Sequence, residues 1–173
     1  MDRTIAVIEF EDLGLIKLEL FMDIQNSSLN FIHLANTHFY DDLTMHRIIP
    51  NFVAQGGCPE GTGTEGPGYS IPGEFSSNDY TNKYPHDKGV ISWARSQNYD
   101  SAGSQFFLTL GDAHFLDDDY AVFGKIIEDN NKILDKLNKL GTDSGEPLDT
   151  VLIKTVYIEG DKDYPLPEMI VEE

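Results

Sequence analysis

The residues able to break a bond in this chain lack the partners such chemistry needs. Five histidines, His33, His38, His46, His86 and His114, are present, and none is spaced from another as zinc ligands usually are. His33 and His38 lie five apart at the end of an expected helix, which does not bring them to one face. Asp117, Asp118 and Asp119 lack the ligand spacing and glycine of a calcium loop and read as a solvated turn. Ser104 has no G-x-S-x-G context, and Cys58 has no base beside it, so it reads as a bystander thiol. Gly61-Thr62-Gly63-Thr64-Glu65-Gly66 fits G-x-G-x-x-G. Pro67-Gly68 follows where a helix should begin, however, and Glu65 would repel a pyrophosphate. The sequence therefore implies neither a metal nor a cofactor.

What remains is cationic and aromatic. Three stretches carry it: Met45-His46-Arg47-Ile48-Ile49-Pro50-Asn51-Phe52-Val53-Ala54-Gln55-Gly56-Gly57, then Ala102-Gly103-Ser104-Gln105-Phe106-Phe107, then Phe115 through Gly124. Singly, the aromatics read as core and Arg47 as an ion-pair partner in an acidic chain. As one ordered set they resemble the cyclophilin family of peptidyl-prolyl cis-trans isomerases. The pattern F-H-R-I-I-P-x-F-x-x-Q-G-G is met at nearly every position, with Met45 for the leading aromatic, and G-S-Q-F-F and V-F-G-K are met outright. The resemblance covers about residues 3–158 and implies a bacterial-type member.

The resemblance implies rotation about X–Pro bonds in proline-containing peptides and in unfolded or flexible protein segments, assisting folding. No bond breaks in that reaction, so no nucleophile or metal is required. Arg47, Gln55 and Phe52 match the catalytic positions. Val53, Phe107 and Leu116 match the proline pocket, Ala94, Arg95 and Gln105 the adjoining groove, and Phe115 and Tyr120 its far wall. Val53 stands for a common methionine, Arg95 for asparagine, Tyr120 for histidine and Phe115 for tryptophan. Phenylalanine lacks the indole N–H donor, so cyclosporin binding is implied in weakened form. Trp93, the one tryptophan, is expected near the groove. Two other functions compete: a non-catalytic module that holds proline segments, which has no need of Arg47, and a structural subunit, which needs a large exposed apolar patch.

These residues need a scaffold. Thr4–Phe10 and Leu15–Leu20 read as a hairpin of strands about Asp12-Leu13-Gly14. Asn26, Ser27 and Ser28 read as caps of a helix over about 26–37. Strand character returns at 44–53 with a turn at Pro50-Asn51, and again at 89–94, 104–109 and 120–126. Residues 56–73 form a long loop rich in glycine and proline. Ile133, Leu134, Leu137 and Leu140 share one helix face, started by Asp129 or Asn130 and ended by Gly141. Residues 151–158 read as a closing strand. With no βαβ unit, the expected fold is mainly β, a closed antiparallel eight-stranded barrel capped by two helices, in one domain over 1–173. Val53 and Gln55 share a face by strand alternation. Arg47 joins them only if the turn adds no bulge, a placement that rests on the resemblance.

Composition narrows the partners. With 30 acidic and 12 basic residues the net charge is −18, which disfavours nucleic acid and anionic membrane surfaces. No apolar run approaches the roughly 18 residues of a span. Asp2 and Glu9 interrupt the opening where a signal peptide would be apolar, and a single cysteine fits a reducing compartment, so the expected location is cytoplasmic. Nothing demands an oligomer, and a monomer is expected. The tail after Gly160, with Pro165, Pro167, Glu172 and Glu173, is expected to lie on the surface or fray.

Overall fold

The computed structural model describes residues 3–171. The expectations at Asp2, Glu172 and Glu173 lie outside them. The β-branched run of β1 (Thr4–Phe10) and the alternating residues of β2 (Gly14–Leu20) form an antiparallel hairpin, with Thr4 opposite Leu20 and Phe10 opposite Gly14. Gly14 takes φ 122°, a backbone conformation that a side chain would strain. After α1 (Gln25–Asn36) come β3 (Arg47–Ile49), β4 (Val53–Gly56), β5 (Val90–Trp93), β6 (Phe106–Thr109), β7 (Val122–Glu128), α2 (Ile133–Leu140) and β8 (Ile153–Ile158).

The eight strands lie in the order β3-β4-β6-β5-β7-β2-β1-β8, every paired neighbour antiparallel. The expectation of a closed barrel is corrected here. No ladder joins β3 to β8, and the sheet is an open half-barrel. β3 has only three residues, and the chain just before it, not β3 itself, meets β8. The link is an isolated bridge, Thr44 to Leu152, flanked by Met45 N–H donating to Val151 O at 3.0 Å. Inside the curve, Phe31 of α1 meets Tyr40, Trp93, Phe106 and Phe123 with ring centroids 5.4–6.2 Å apart. Trp93 is therefore a core residue, stacked on Phe123 at 4.6 Å, and not a groove residue as expected.

Both helices form where periodicity places them; the start of α2 is as expected, and that of α1 is not. α2 is capped by Asp129, whose carboxylate accepts the N–H groups of Ile133 and Leu134 at 2.6 and 3.1 Å. In α1, Asn26, Ser27 and Ser28 lie inside the first turn and none caps it. The buried carboxylate of Glu74, far along the chain, accepts the N–H groups of Asn26 and Ser27 instead. A carboxylate at a helix N-terminus also meets the positive end of the helix dipole. Replacing Glu74 with alanine leaves both donors unpaired. The expected loss is on the order of 2 kcal/mol of stability, the scale of charge-assisted hydrogen bonds, read as a shifted midpoint in urea unfolding at unchanged slope.

Candidate active site

The turn between β3 and β4 decides whether Arg47 meets Gln55. Pro50 presets the second turn position, Asn51 takes φ 63° at the third, and Phe52 N–H donates to Ile49 O at 3.1 Å. No bulge results: Arg47 faces Gln55, Ile48 faces Ala54, and Ile49 faces Val53. Gln55 in turn faces Phe107 on β6, and Phe107 faces Ser92 on β5. Directly opposed residues share a sheet face, so the four form one row across the strands.

Polar side chains along this row are linked in one direction. Arg47 Nη1 donates to Gln55 Oε1 at 3.3 Å, Gln55 Nε2 donates to Gln105 Oε1 at 3.0 Å, and Gln105 Nε2 donates to Glu65 O at 2.9 Å. Among the described residues no carboxylate forms a salt bridge with Arg47, although the chain carries 30 acidic residues. Its exposed guanidinium faces a pocket of about 350 Å³ whose apolar lining is Phe52, Val53, Ala94, Phe107 and Leu116. Phe107 is held from two sides: His86 stacks on it at 5.9 Å and Tyr120 meets it edge-on at 6.0 Å. A fixed cation over an apolar, aromatic-walled pocket suits a small ring attached to a polar backbone.

The family model for cyclophilin type peptidyl-prolyl cis-trans isomerase/CLD matches residues 5–158. This chain belongs to the cyclophilin-type isomerases. A peptidyl-prolyl cis-trans isomerase of Synechococcus elongatus is 43% identical over 129 residues, covering 74% of this chain and 83% of its own. Peptidyl-prolyl cis-trans isomerase B of Bacillus subtilis is 45% identical over 117 residues, covering 67% and 78% respectively. A Cryptosporidium parvum cyclophilin type isomerase, crystallised in the presence of the dipeptide Ala-Pro, superposes with a TM-score of 0.80 at 30% identity, covering 91% of this chain and 99% of that one. The activity of this cyclophilin is peptidyl-prolyl cis-trans isomerisation, and no helix among its described residues is long and apolar enough to cross a membrane.

Of the residues expected at the cyclophilin site, Arg47, Phe52, Val53, Gln55, Ala94, Arg95, Phe107, Leu116 and Tyr120 line the pocket together. Gln105 lines the adjoining one. Phe115 stands at the rim, 73% exposed, stacked on Phe52 at 5.6 Å. Arg95 is held in place by its guanidinium. It donates to Asp119 O and Ser96 O and lies 4.5–5.0 Å from the rings of Phe75, Tyr99 and Tyr120. It thus fixes one wall.

Three lining residues went unread in the sequence: His46, Thr62 and Gly63. The last two sit in the glycine-rich loop, folded around the buried Cys58, whose Sγ accepts Gly63 N–H at 3.3 Å. Burial alone would raise this thiol, but surrounding backbone N–H groups bring its pKa down to about 7. Ser104 is no nucleophile: it is buried and donates to Gly57 O at 2.7 Å. One cluster among the described residues, Asp87, Asp112 and His114, brings metal-ligand atoms within 4.8 Å of one another. It is exposed, outside the pocket, and internally ion-paired, His114 lying 3.2 Å from Asp87.

His86, behind Phe107, is fully buried, with Nδ1 2.9 Å from Asp117 and Nε2 3.0 Å from Ser92 Oγ. Burial lowers its pKa despite Asp117. The unfolded chain therefore takes up this proton first, and stability falls as pH drops below about 6.5. Exposed His114, raised by its hydrogen bond to Asp117, acts oppositely: its contribution is present below the unfolded value and is lost as pH rises through the folded one. His86→Gln removes the first effect. Calorimetric melting between about pH 7.5 and about pH 5.5 is expected to show a shallower decline than wild type, and an unchanged slope would contradict this.

Proposed function

We propose that Arg47 is the catalytic group of this isomerase and that Gln55 and Gln105 position it. The observation that carries this reading is the one-way chain from Arg47 to Glu65 O beside an aromatic-walled pocket. Amide resonance gives the C–N bond a rotation barrier of roughly 18–20 kcal/mol. Twisting the bond localises a lone pair on the prolyl nitrogen, and a guanidinium N–H donating to that lone pair stabilises the twisted state more than either planar one. A millionfold acceleration needs about 8 kcal/mol, which one mobile surface arginine does not supply, so its fixation matters. Phe52, Phe107 and Leu116 hold the ring, Val53 and Ala94 complete the floor, and Tyr120, backed by Arg95, closes the far side.

The substrates of this reading are proline-containing peptides and unfolded or flexible protein segments, taken by a monomer in the cytoplasm. The residues before proline run toward loops 58–75 and 95–101. A module that only holds proline segments is disfavoured by the unpaired, positioned Arg47. Exchange NMR on a short X–Pro peptide tests the reading. Arg47→Ala is expected to lower kcat/KM on the order of a hundredfold, the scale of removing one transition-state donor, with the circular dichroism spectrum unchanged. A folded variant with wild-type turnover would refute it.

Cyclosporin binding is proposed in weakened form, because Phe115 offers the rim no N–H donor. Phe115→Trp is expected to tighten it by about tenfold, roughly one hydrogen bond, in calorimetric titration. Equal affinities would refute the role of that donor.

A further inference from the structure

The family match ends at Ile158, yet the chain beyond stays on the body and is fastened at four places. Glu159 N–H donates to Ile5 O, and its carboxylate pairs with Lys17 at 2.7 Å. The Tyr164 hydroxyl lies 3.3 Å from Thr4 Oγ1. Asn26 and Glu168 exchange two hydrogen bonds: Asn26 Nδ2 donates to Glu168 O at 3.0 Å, and Glu168 N–H donates to Asn26 Oδ1 at 2.6 Å. Pro167 beside them is buried. Finally, Ser70 and Ile170 exchange two backbone hydrogen bonds, at 2.9 and 2.7 Å.

Ser70 belongs to the wall of the peptide groove. The next residue, Ile71, bridges the other way, its N–H donating to Ala102 O at 2.8 Å. The 64–71 segment is thus held between the tail on one side and the strip leading to Gln105 on the other. Two further pockets continue the proline pocket along it. The first, about 270 Å³, shares Gln55, Gly63, Ala94 and Arg95 with the proline pocket. The second, about 610 Å³, shares Thr64, Gly66, Tyr69, Ser96 and Ser101 with the first and has Ile170 in its wall.

We infer that residues 164–171 are a specificity element: the tail forms the end wall of the groove and sets which residues before the X–Pro unit are accepted. The outer pocket is polar, lined by Thr64, Ser70, Ser96, Asn98 and Ser101, with Asp100 its only charged side chain. One Asp100 oxygen accepts Gly73 N–H and Asn78 Nδ2, both at 2.9 Å. The favoured occupant is a lysine or arginine side chain, which matches Asp100 and a chain of net charge −18.

This inference rests on the isomerase reading, and short peptides separate the two. Exchange NMR would compare the full chain, a chain ending at Gly160, and full-length Ile170→Pro, which removes the N–H that Ser70 O accepts. The substrates share one Ala–Pro unit: a short capped peptide, and longer ones with lysine or with glutamate placed before it. The full chain should prefer the lysine peptide. Both variants should keep short-peptide kcat/KM within about twofold while the lysine-to-glutamate ratio falls by roughly fivefold or more. An unchanged ratio, no lysine preference in the full chain, or equal loss on all peptides in a folded variant overturns the inference. If the truncated chain does not fold, Ile170→Pro decides. Failure of the full chain on the short peptide counts against the isomerase reading instead, and calorimetric binding of the lysine peptide to the full chain and to Ile170→Pro then decides the tail.

Discussion

A guanidinium donates hydrogen bonds and accepts none, and on this face of the sheet that asymmetry fixes everything downstream. Because Arg47 can only donate, the oxygen of Gln55 must face it, leaving the Gln55 amide nitrogen for Gln105. The oxygen of Gln105 is then engaged, and its nitrogen reaches the backbone carbonyl of Glu65. Two amides that would otherwise be free to turn over are held in single orientations. The chain ends on a peptide carbonyl, which can only accept, so its polarity is determined at both ends.

The two arginines nearest the groove are used in opposite ways. Arg95 is committed to three carbonyls and three rings, and so becomes part of a wall. Arg47 has one side-chain partner and keeps its remaining donors toward the pocket. In a chain this acidic, the absence among the described residues of a carboxylate on Arg47 has a chemical consequence. An ion pair would satisfy the guanidinium; without one, its donors stay available.

Much of this was legible in the chain. β-branched content and alternation gave the first hairpin and β8, and apolar periodicity gave both helices to within a few residues of their bounds. Pro50-Asn51 marked the turn, but whether it carried a bulge was not written in the spacing. Only the pairing of Arg47 with Gln55 answers that. Contacts between residues distant in sequence were not legible. Glu74 capping α1 across 47 residues, Gln105 joining Gln55 across 50, and Ile170 pairing with Ser70 leave no local signature. The barrel's failure to close likewise depends on where the crossing chain meets β8, which hydrophobic patterning does not encode.

Trp93 carries a consequence of another kind. Its indole is 2% exposed, stacked on Phe123, and its Nε1 has no hydrogen-bond partner. The molecule's only indole chromophore is thus insulated from the peptide groove and embedded where α1 meets the sheet. Its emission is expected to register the integrity of that packing rather than the filling of the groove. Folding can therefore be followed optically in the presence of saturating substrate, without the two signals becoming confused.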